Sequence, residues 1–460
     1  MENHNRRQEP LIERIAETPA IALEKTVEES KKIVRALEAR PTVKKAEEFW
    51  HMLGPGLTTG AADDDPSGIA TYSQAGARYG FRWLWLAPLT FPLMAVIQEM
   101  CARIGLVTGR GLAANIRKHF PRPVLYLCAF LLLAANGLNI GADLGAMAKA
   151  VQLFVPNMAF EALVVFFTLL CLILEIFTTY KKYARYLKYL SLILLSYVFS
   201  ALMIELDWGA IARATLIPAF TFDRDSILLV TGVLGTTISP YLFFWQTSQE
   251  IEEQILEGRA TIKSRLGATD GEVKKMRADV WSGMFFSNAV MFFIISACAA
   301  TLYANGITNI DTAADAAAAL RPLAGENAYL LFTIGIIGVG LLAIPVLAGS
   351  ASYAMSESFH WREGLYLKLK QAHAFYGVII ISMLLGLGLN FLGFDPIKVL
   401  IYSAIANGVI SPVVLILILL ISGDKKIMGG RANGPLTKII GWLAAGLMTV
   451  ASVFTLFSLL

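Results

Sequence analysis

GPGLTTGAADDDPSGIATYSQAGARYG, residues 54–80, opens the first long apolar region of the chain and contains three consecutive carboxylates, Asp63, Asp64 and Asp65. An ionised side chain at membrane depth is costly, and it is rare unless it faces a cavity, a partner or a transported ion. Pro66 lacks a backbone N–H, and a glycine follows two residues later, so the helix is expected to break here. Free carbonyls beside carboxylates in a broken membrane helix predict a cation site.

A structural interpretation fits part of the same stretch. Asp65 followed by Pro66 is a favourable helix start, with Asp as the N-cap and Pro in the first turn. This explains one or two of the three aspartates, and both interpretations can hold together.

The composition predicts an all-α polytopic membrane protein, because 56% of the 460 residues are hydrophobic and only 16% are charged. The net charge of +4 is modest and the basic residues lie between apolar runs, so a lipid bilayer and not nucleic acid is the expected partner. The four cysteines form no CxxC pair and are expected to be core residues. No nucleophile–base pair, phosphate loop or membrane-depth histidine cluster is present, so an enzyme is not expected.

The chain divides into a cytoplasmic tail, residues 1–46, with an amphipathic helix near 22–39, and a transmembrane domain, residues 47–460. Eleven transmembrane helices are predicted, near 53–78, 82–105, 123–153, 159–179, 186–206, 226–250, 280–303, 327–354, 374–393, 396–421 and 437–459.

Lysine and arginine fall mainly in alternate loops between these spans. Basic residues are retained on the cytoplasmic side of a membrane. The pattern predicts a plasma-membrane protein with a cytoplasmic N-terminus and an external C-terminus. The sequence leaves the oligomeric state open.

A second interrupted span lies at residues 231–250, TGVLGTTISPYLFFWQTSQE, where Gly235 and Pro240 bracket three hydroxyl side chains. Spans one and six are therefore both expected to be broken, five spans apart. This spacing predicts a 5+5 inverted repeat with the substrate held between broken helices 1 and 6. Two merely kinked helices would not require that spacing.

Several motifs in this frame resemble the NRAMP family of divalent metal transporters. GPGL opens the first span, DPSG stands where the family has DPGN, and QAGA (74–77) and ARIGLVTGRGLA (102–113) follow. LGTTISPYLFFWQ (234–246) occupies the place of the family's Met-Pro-His motif in span six. The resemblance implies the leucine-transporter fold of the APC superfamily, with alternating access around a metal site.

The departures from the family pattern concern the site itself. The family's Asp is kept as Asp65, but its Asn is Gly68 and its span-six Met is Ser239. The two span-six histidines tied to proton movement are replaced by Tyr241 and Gln246, for which ordinary packing is the preferred interpretation.

The family's run of acids in span three, which relays protons, is also reduced. By alignment Asp143 remains, while the other two positions hold Asn136 and Ala146. Asp143 is expected either to carry a proton or pair with a base, or to make a structural hydrogen bond. Lys149 and Glu175 are expected to reach the membrane interface.

The resemblance and the residue types together give a ligand set of hard oxygen atoms. Asp65 is the principal predicted metal ligand. By alignment, Ala62 and Thr236 would offer main-chain carbonyls, while Ser239 would bind directly or through water, or bond back to its own helix. Gly68 is expected to shape the pocket. Asp63, Asp64 and Thr237 are expected to form a second shell or to attract cations. Ser403 and Asn407 are expected to line the pore.

Three functions remain open. The first is import of hard divalent cations, Mg²⁺ with Mn²⁺ also possible, without proton coupling; this pattern resembles the NRAMP-related magnesium transporters. The second is a proton-coupled Mn²⁺/Fe²⁺ symporter of the ordinary family type. The third, a sodium-coupled amino-acid carrier of the same fold, is disfavoured because three aspartates would repel a substrate carboxylate. No resident cofactor is expected, only the transported Mg²⁺ or Mn²⁺.

Overall fold

A computed structural model describes residues 41–219, 224–310, 312–392 and 396–459 of the chain. The predicted amphipathic helix near 22–39 lies outside these residues. The chain divides into two compact units, Met1–Leu53 and Gly54–Leu460. Helix α1, Pro41–Met52, belongs to the first unit and is described by itself. The domain boundary at residue 46 stays a prediction.

The second unit is built from α-helices throughout its described part. In chain order these are α2 Pro55–Asp63, α3 Pro66–Tyr79, α4 Leu86–Thr108, α5 Leu112–His119, α6 Arg122–Phe154, α7 Phe160–Phe177, α8 Tyr180–Leu190, α9 Leu195–Leu202, α10 Trp208–Leu216, α11 Arg224–Thr237, α12 Pro240–Leu256, α13 Ile262–Arg265, α14 Asp270–Thr301, α15 Ala313–Phe359, α16 His373–Phe391, α17 Pro396–Gly423, α18 Lys425–Met428 and α19 Pro435–Leu459.

Both predicted helix breaks are confirmed. The first span is divided into α2 and α3, which are separated by Asp64 and Asp65, and the sixth into α11 and α12, which are separated by Ile238 and Ser239. Each second half begins with a proline, which lacks the N–H that a continuous helix would use.

Eight helices in the described part of the chain are long and apolar enough to cross a membrane. The predicted total of eleven spans stays a prediction. Span five differs from a single helix over 186–206, because a 3₁₀ turn at Ser191–Leu194 separates α8 from α9. The hydroxyl of Ser191 donates to the carbonyl of Lys188 at 2.7 Å, and such a bond back to the preceding turn favours a local change of helix geometry.

The start of α2 is fixed against α14. The Asp279 carboxylate accepts hydrogen bonds from the backbone amides of Gly54, Gly56 and Leu57 at 2.8, 2.7 and 3.1 Å. One turn further along, Gly60 lies so close to the backbone of α14 at Gly283 that a side chain would collide with it. Because glycine lets two helices approach at backbone distance, α2 is held tightly along this face.

Candidate metal-binding site

The first break is organised by Asp65, the N-cap of α3. Its Oδ1 accepts a hydrogen bond from the amide of Gly68 at 2.7 Å and another from the hydroxyl of Ser67 at 2.6 Å. The backbone of Asp65 is extended, with φ −63° and ψ 167°, as expected for an N-cap. The capping role is therefore real, and it also fixes the direction of the carboxylate.

The second break carries no charge. Ser239 occupies the N-cap position of α12, but its side chain makes no capping hydrogen bond. Instead, its hydroxyl donates to the carbonyls of Gly235 at 2.7 Å and Thr236 at 3.0 Å. Two carbonyl groups at the end of α11 thus already accept a hydrogen bond from the Ser239 hydroxyl.

A cavity of about 60 Å³ lies between the two breaks, which is room for a few water molecules or a partly hydrated ion. Its lining is polar and contains one ionisable group, the carboxylate of Asp65. The other lining residues are Ser67, Thr71, Asn139, Gly232, Gly235, Thr236, Ser239, Ser403 and Asn407.

The structure brings only part of the predicted ligand set to this cavity. Asp65, Thr236 and Ser239 line it, whereas Ala62 and Gly68 do not. The Gly68 amide instead supports the Asp65 carboxylate. The Ala62 carbonyl accepts a hydrogen bond from Tyr241 at 2.9 Å.

That contact corrects the interpretation of Tyr241 as ordinary packing. Its side chain is buried, but its hydroxyl connects the first half of span one to the second half of span six. It joins the two broken helices at a backbone group that the sequence comparison proposed as a ligand.

The three residues predicted to form a second shell, Asp63, Asp64 and Thr237, do not line the cavity. The Thr237 hydroxyl donates to the carbonyl of Val233 within its own helix at 2.9 Å. Asp63 and Asp64 are absent from the cavity lining, and Asp63 accepts a hydrogen bond from Ser287 of α14 at 3.1 Å. The two extra aspartates therefore do not line the cavity, and Asp63 instead contacts α14.

Span three contributes a residue that the sequence analysis missed. Asn139 of α6 lines the cavity and accepts a hydrogen bond from the hydroxyl of Ser403. It precedes Asp143 by four residues and therefore shares a helix face with it, which is the signal that would have found it.

The three span-three positions where the family carries proton-relaying acids have different surroundings in this structure. Asn136 donates to the carbonyl of Leu347 at 2.8 Å and to Ser350 at 2.9 Å, so it serves the packing of α6 on α15. Asp143 is completely buried and interacts electrostatically with Asp65. Ala146 is partly buried and carries no polar group.

Gln246 and Glu175 are both buried, but only Gln246 has a hydrogen bond to a neighbouring side chain in the described structure. Gln246 donates to the carboxylate of Glu250 at 2.9 Å, one turn along α12. Glu175 does not reach the membrane interface as expected, because its side chain is buried beside Gly349 and Trp245. Packing of α7 against α15 covers it, a tertiary effect that its position near a helix end does not indicate.

The donor set of the cavity has a definite chemical character. Within the residues that the structure describes, no group of three or more His, Cys, Asp or Glu side chains is arranged to hold a metal ion. One carboxylate, several hydroxyl and amide oxygens and nearby carbonyls make a site with hard oxygen donors, which suits an ion that keeps part of its water shell.

Two broken helices facing a polar cavity, within a bundle of membrane-length helices, are features typical of a membrane transporter. The chain matches the family described as natural resistance-associated macrophage protein-like over residues 56–458. It therefore belongs to the Nramp family.

Curated relatives extend the match along most of the chain. A divalent metal cation transporter MntH of Yersinia pestis (strain Pestoides F) is 27% identical over 420 residues, which cover 89% of this chain and 95% of the relative. MntH of Klebsiella pneumoniae subsp. pneumoniae is 28% identical over 398 residues, which cover 85% and 90%.

Solved structures support the fold. A manganese transporter of Eremococcus coleocola superimposes with a TM-score of 0.67 at 18% identity, covering 88% of this chain and 86% of that one. Mhp1, a nucleobase-cation-symport-1 family transporter in a closed conformation, gives a TM-score of 0.54 at 15% identity, covering 88% and 92%. The predicted leucine-transporter fold is confirmed.

Proposed function

We propose that this chain imports hard divalent cations, Mg²⁺ first and Mn²⁺ second, without obligatory proton coupling. The observation that carries this proposal is the lining of the cavity between the breaks. It has one carboxylate, Asp65, surrounded by uncharged oxygen donors, and it contains neither methionine nor histidine. A thioether would favour softer metals, whereas oxygen ligands suit Mg²⁺ and Mn²⁺.

The size of the cavity supports a hydrated cargo. Mg²⁺ gives up its water reluctantly and usually keeps several water molecules when it is bound by one or two carboxylates. About 60 Å³ beside a single carboxylate fits an ion held partly through water. On this proposal, Ser239 and Asn139 contact the water shell and Asp65 supplies the charge.

The lack of proton coupling is proposed from two residues of α12 that follow the second break. Tyr241 and Gln246 stand where the family has histidines, and both hydroxyl and amide are engaged in hydrogen bonds, to Ala62 and Glu250. Neither group changes its protonation near neutral pH in the way histidine does.

A second candidate is a proton-coupled Mn²⁺ symporter. One observation favours it: Asp143 is a buried carboxyl group on the same face of α6 as Asn139, which lines the cavity. Relatives named divalent metal cation transporters and a neighbour named a manganese transporter are compatible with either candidate.

An amino-acid carrier is the weakest candidate. The start of α3 is where the carboxylate of such a substrate would bind, at free helix amides. Here the Asp65 carboxylate already accepts the Gly68 amide at that helix start. A substrate carboxylate would meet a negative charge there.

Uptake into proteoliposomes tests these candidates together. The purified protein is reconstituted with a pH-sensitive dye inside, and Mg²⁺ and Mn²⁺ compete for entry. Mutual competition without acidification supports the proposal. Mn²⁺ entry with matching acidification, while Mg²⁺ neither enters nor competes, would establish the proton-coupled symporter instead.

Membrane orientation is part of the proposal. We infer a plasma-membrane protein with a cytoplasmic N-terminus and an external C-terminus from the distribution of Lys and Arg between loops. Epitope tags at each terminus, tested for antibody access in intact and permeabilised cells, check this. Access to the N-terminal tag in intact cells would reverse the orientation.

A further inference from the structure

Helix α8, Tyr180–Leu190, carries a compact group of positive charges. Three of its exposed side chains are cations: Lys181, Lys182 and Arg185. Residues three and four positions apart are neighbours on a helix surface, so these three lie on one side, which we call the cationic face of α8. The opposite side consists of buried side chains: Tyr180, Tyr183 and Leu187. The helix thus packs on the protein with one face and presents concentrated positive charge with the other.

The cationic face has no acidic partner in the described part of the chain. None of the ion pairs found there includes any of its three side chains. Partly exposed arginines of other elements do have such partners, Arg259 with Glu272 and Arg431 with Asp270. Like charges four residues apart destabilise a helix. An anion from outside the protein would remove this repulsion.

A stripe of apolar side chains on α7 leads directly to this helix. Its members recur every three or four residues, and each is more than half exposed: Phe166, Leu169, Ile173 and Phe177. Because α7 is long and apolar enough to cross a membrane, we infer that this stripe contacts hydrocarbon. Phe177 is both the last residue of α7 and the most exposed of the four, at 73%. The contact with hydrocarbon therefore extends to the end of α7.

The cationic face begins close to that end. Thr178 and Thr179, both with extended backbone, are the two residues between α7 and α8. Lys181 follows Phe177 by four residues, which limits the distance between their Cα atoms to about 14 Å. A polar headgroup layer of about 5–7 Å borders the hydrocarbon on each side of a bilayer. Long cationic side chains at this position can therefore reach the phosphate groups of the lipid.

We propose that the cationic face of α8 binds the phosphate groups of anionic phospholipids in the adjoining leaflet. Lysine and arginine make charge-assisted hydrogen bonds to phosphate oxygens, and arginine can make two in parallel. A phospholipid fits this position better than a soluble anion, because its acyl chains can lie along the stripe of α7 while its phosphate meets the cations. Its net negative charge distinguishes it from a zwitterionic lipid.

The buried face of α8 connects this lipid position to both broken helices. The Tyr180 hydroxyl donates to Oε1 of Glu253 in α12 at 3.0 Å, and α8 also packs against α2. A lipid that removes the repulsion within α8 therefore stabilises a helix on which the first half of span one and the second half of span six both rest. This role does not depend on which cation is transported.

Lipid binding by the full-length protein in a neutral detergent tests the proposal. Fluorescent phosphatidylglycerol is titrated, with phosphatidylcholine of the same acyl chains as the zwitterionic comparison, and the melting temperature is followed in parallel. We expect phosphatidylglycerol to bind more tightly and to raise the melting temperature. A cation beside anionic lipid contributes about fivefold in affinity. The triple variant Lys181→Gln, Lys182→Gln, Arg185→Gln should therefore bind phosphatidylglycerol about a hundredfold more weakly.

The matched control removes three exposed cations that belong to other elements: Lys263→Gln, Lys274→Gln and Lys426→Gln. It has the same net charge as the triple variant and should bind phosphatidylglycerol like the wild type. Lys181→Arg combined with Lys182→Arg keeps the charge of the cationic face while changing both side chains. This variant should also bind like the wild type, which separates charge from packing.

Equal weakening in the triple variant and the control overturns the proposal, because net charge and not the cationic face would then attract the lipid. Equal binding of phosphatidylglycerol and phosphatidylcholine overturns it too. Complete displacement of phosphatidylglycerol by soluble glycerol phosphate overturns the lipid as the occupant. If the triple variant does not fold, Lys182→Gln, with an expected loss of about fivefold, is compared with Lys274→Gln. Binding is measured without a transported ion, so failure of the transport proposal is recognised separately, by absent Mg²⁺ uptake.

Discussion

Both helix breaks are followed by a half-helix that begins with proline, but the side chain at the N-cap position differs between them. At the first, a carboxylate caps the following half-helix and also faces the cavity. At the second, the Ser239 hydroxyl bonds back to carbonyls of its own helix and no charge is present. Of the two breaks, only the first brings a negative charge to the cavity, whereas the second brings neutral oxygen atoms; on the proposed function, the first would attract a cation and the second would affect which cation fits.

The largest expected effect on uptake comes from Asp65, and the substitution is chosen to separate its charge from its role as the N-cap of α3. Asparagine is about as good an N-cap as aspartate, so Asp65→Asn should preserve the start of α3 while removing the charge. We expect divalent uptake in proteoliposomes to fall to the level of empty liposomes, with the melting temperature little changed. Asp424→Asn is the matched control, because Asp424 caps the short helix α18 away from the cavity. Uptake near wild type in Asp65→Asn would show that the charge is not the attraction.

The anchoring of the two broken helices differs as well. Asp279 accepts three backbone amides at the start of α2, whereas the start of α11 is tied to α3 by the exposed pair Arg78–Asp225. Hydrogen bonds to charged groups contribute about 1.5–3 kcal/mol each, and exposed ion pairs about 0–1 kcal/mol. Asp279→Ala should therefore destabilise the protein by several kcal/mol and Asp225→Ala by less than about 1 kcal/mol, measured by denaturant or thermal unfolding in detergent. Similar losses in both variants would contradict the difference in anchoring.

A smaller effect on uptake is expected from the hydrogen bond that joins the two broken helices, between Tyr241 and Ala62. Tyr241→Phe removes the hydrogen bond to the Ala62 carbonyl, a change of about 0.5–1.5 kcal/mol. We expect the rate of divalent uptake to change by a few-fold. Tyr376→Phe loses a comparable bond, to the Leu367 carbonyl at 2.7 Å, and should leave uptake unchanged. If both variants behave alike, the Tyr241 contact has only a structural role.

The smallest effect concerns selectivity at the second break. Ser239→Met introduces a thioether, a soft ligand, and should favour Mn²⁺ or Cd²⁺ over Mg²⁺ by a few-fold in competition uptake. Ser239→Leu has a similar volume without the sulfur and controls for steric effects. An identical selectivity profile in the two variants would show that Ser239 does not contact the ion.

Local sequence signals predicted the backbone of the site well. Pro66 and Pro240 marked where each broken helix restarts, and Asp65–Pro66 marked the N-cap, because these effects act within a few residues. The fold followed from the spacing of the two breaks and from the family resemblance.

Contacts between distant helices could not be predicted in the same way. The Tyr241–Ala62 bond joins residues 179 positions apart. Burial of Glu175 depends on packing of α7 against α15, whose Gly349 lies beside the Glu175 carboxylate. Asp63 and Asp65 also have different partners, Ser287 of α14 for Asp63 and the Gly68 amide for Asp65. Hydrophobic pattern and propensity do not encode contacts such as the one between Asp63 and Ser287.

The shortness of α2 has an electrical consequence. Its nine residues are about 13 Å long, which is close to half of a hydrocarbon core of about 30 Å. With the start of α2 at one surface of the hydrocarbon core, the break, and any ion bound at Asp65, would lie near the middle of the voltage drop across the membrane. A divalent ion that reaches this depth from one side crosses about half of the field, worth roughly 2.3 kcal/mol for every 100 mV. Such a difference changes occupancy about fiftyfold, so the membrane potential would itself help to load the site.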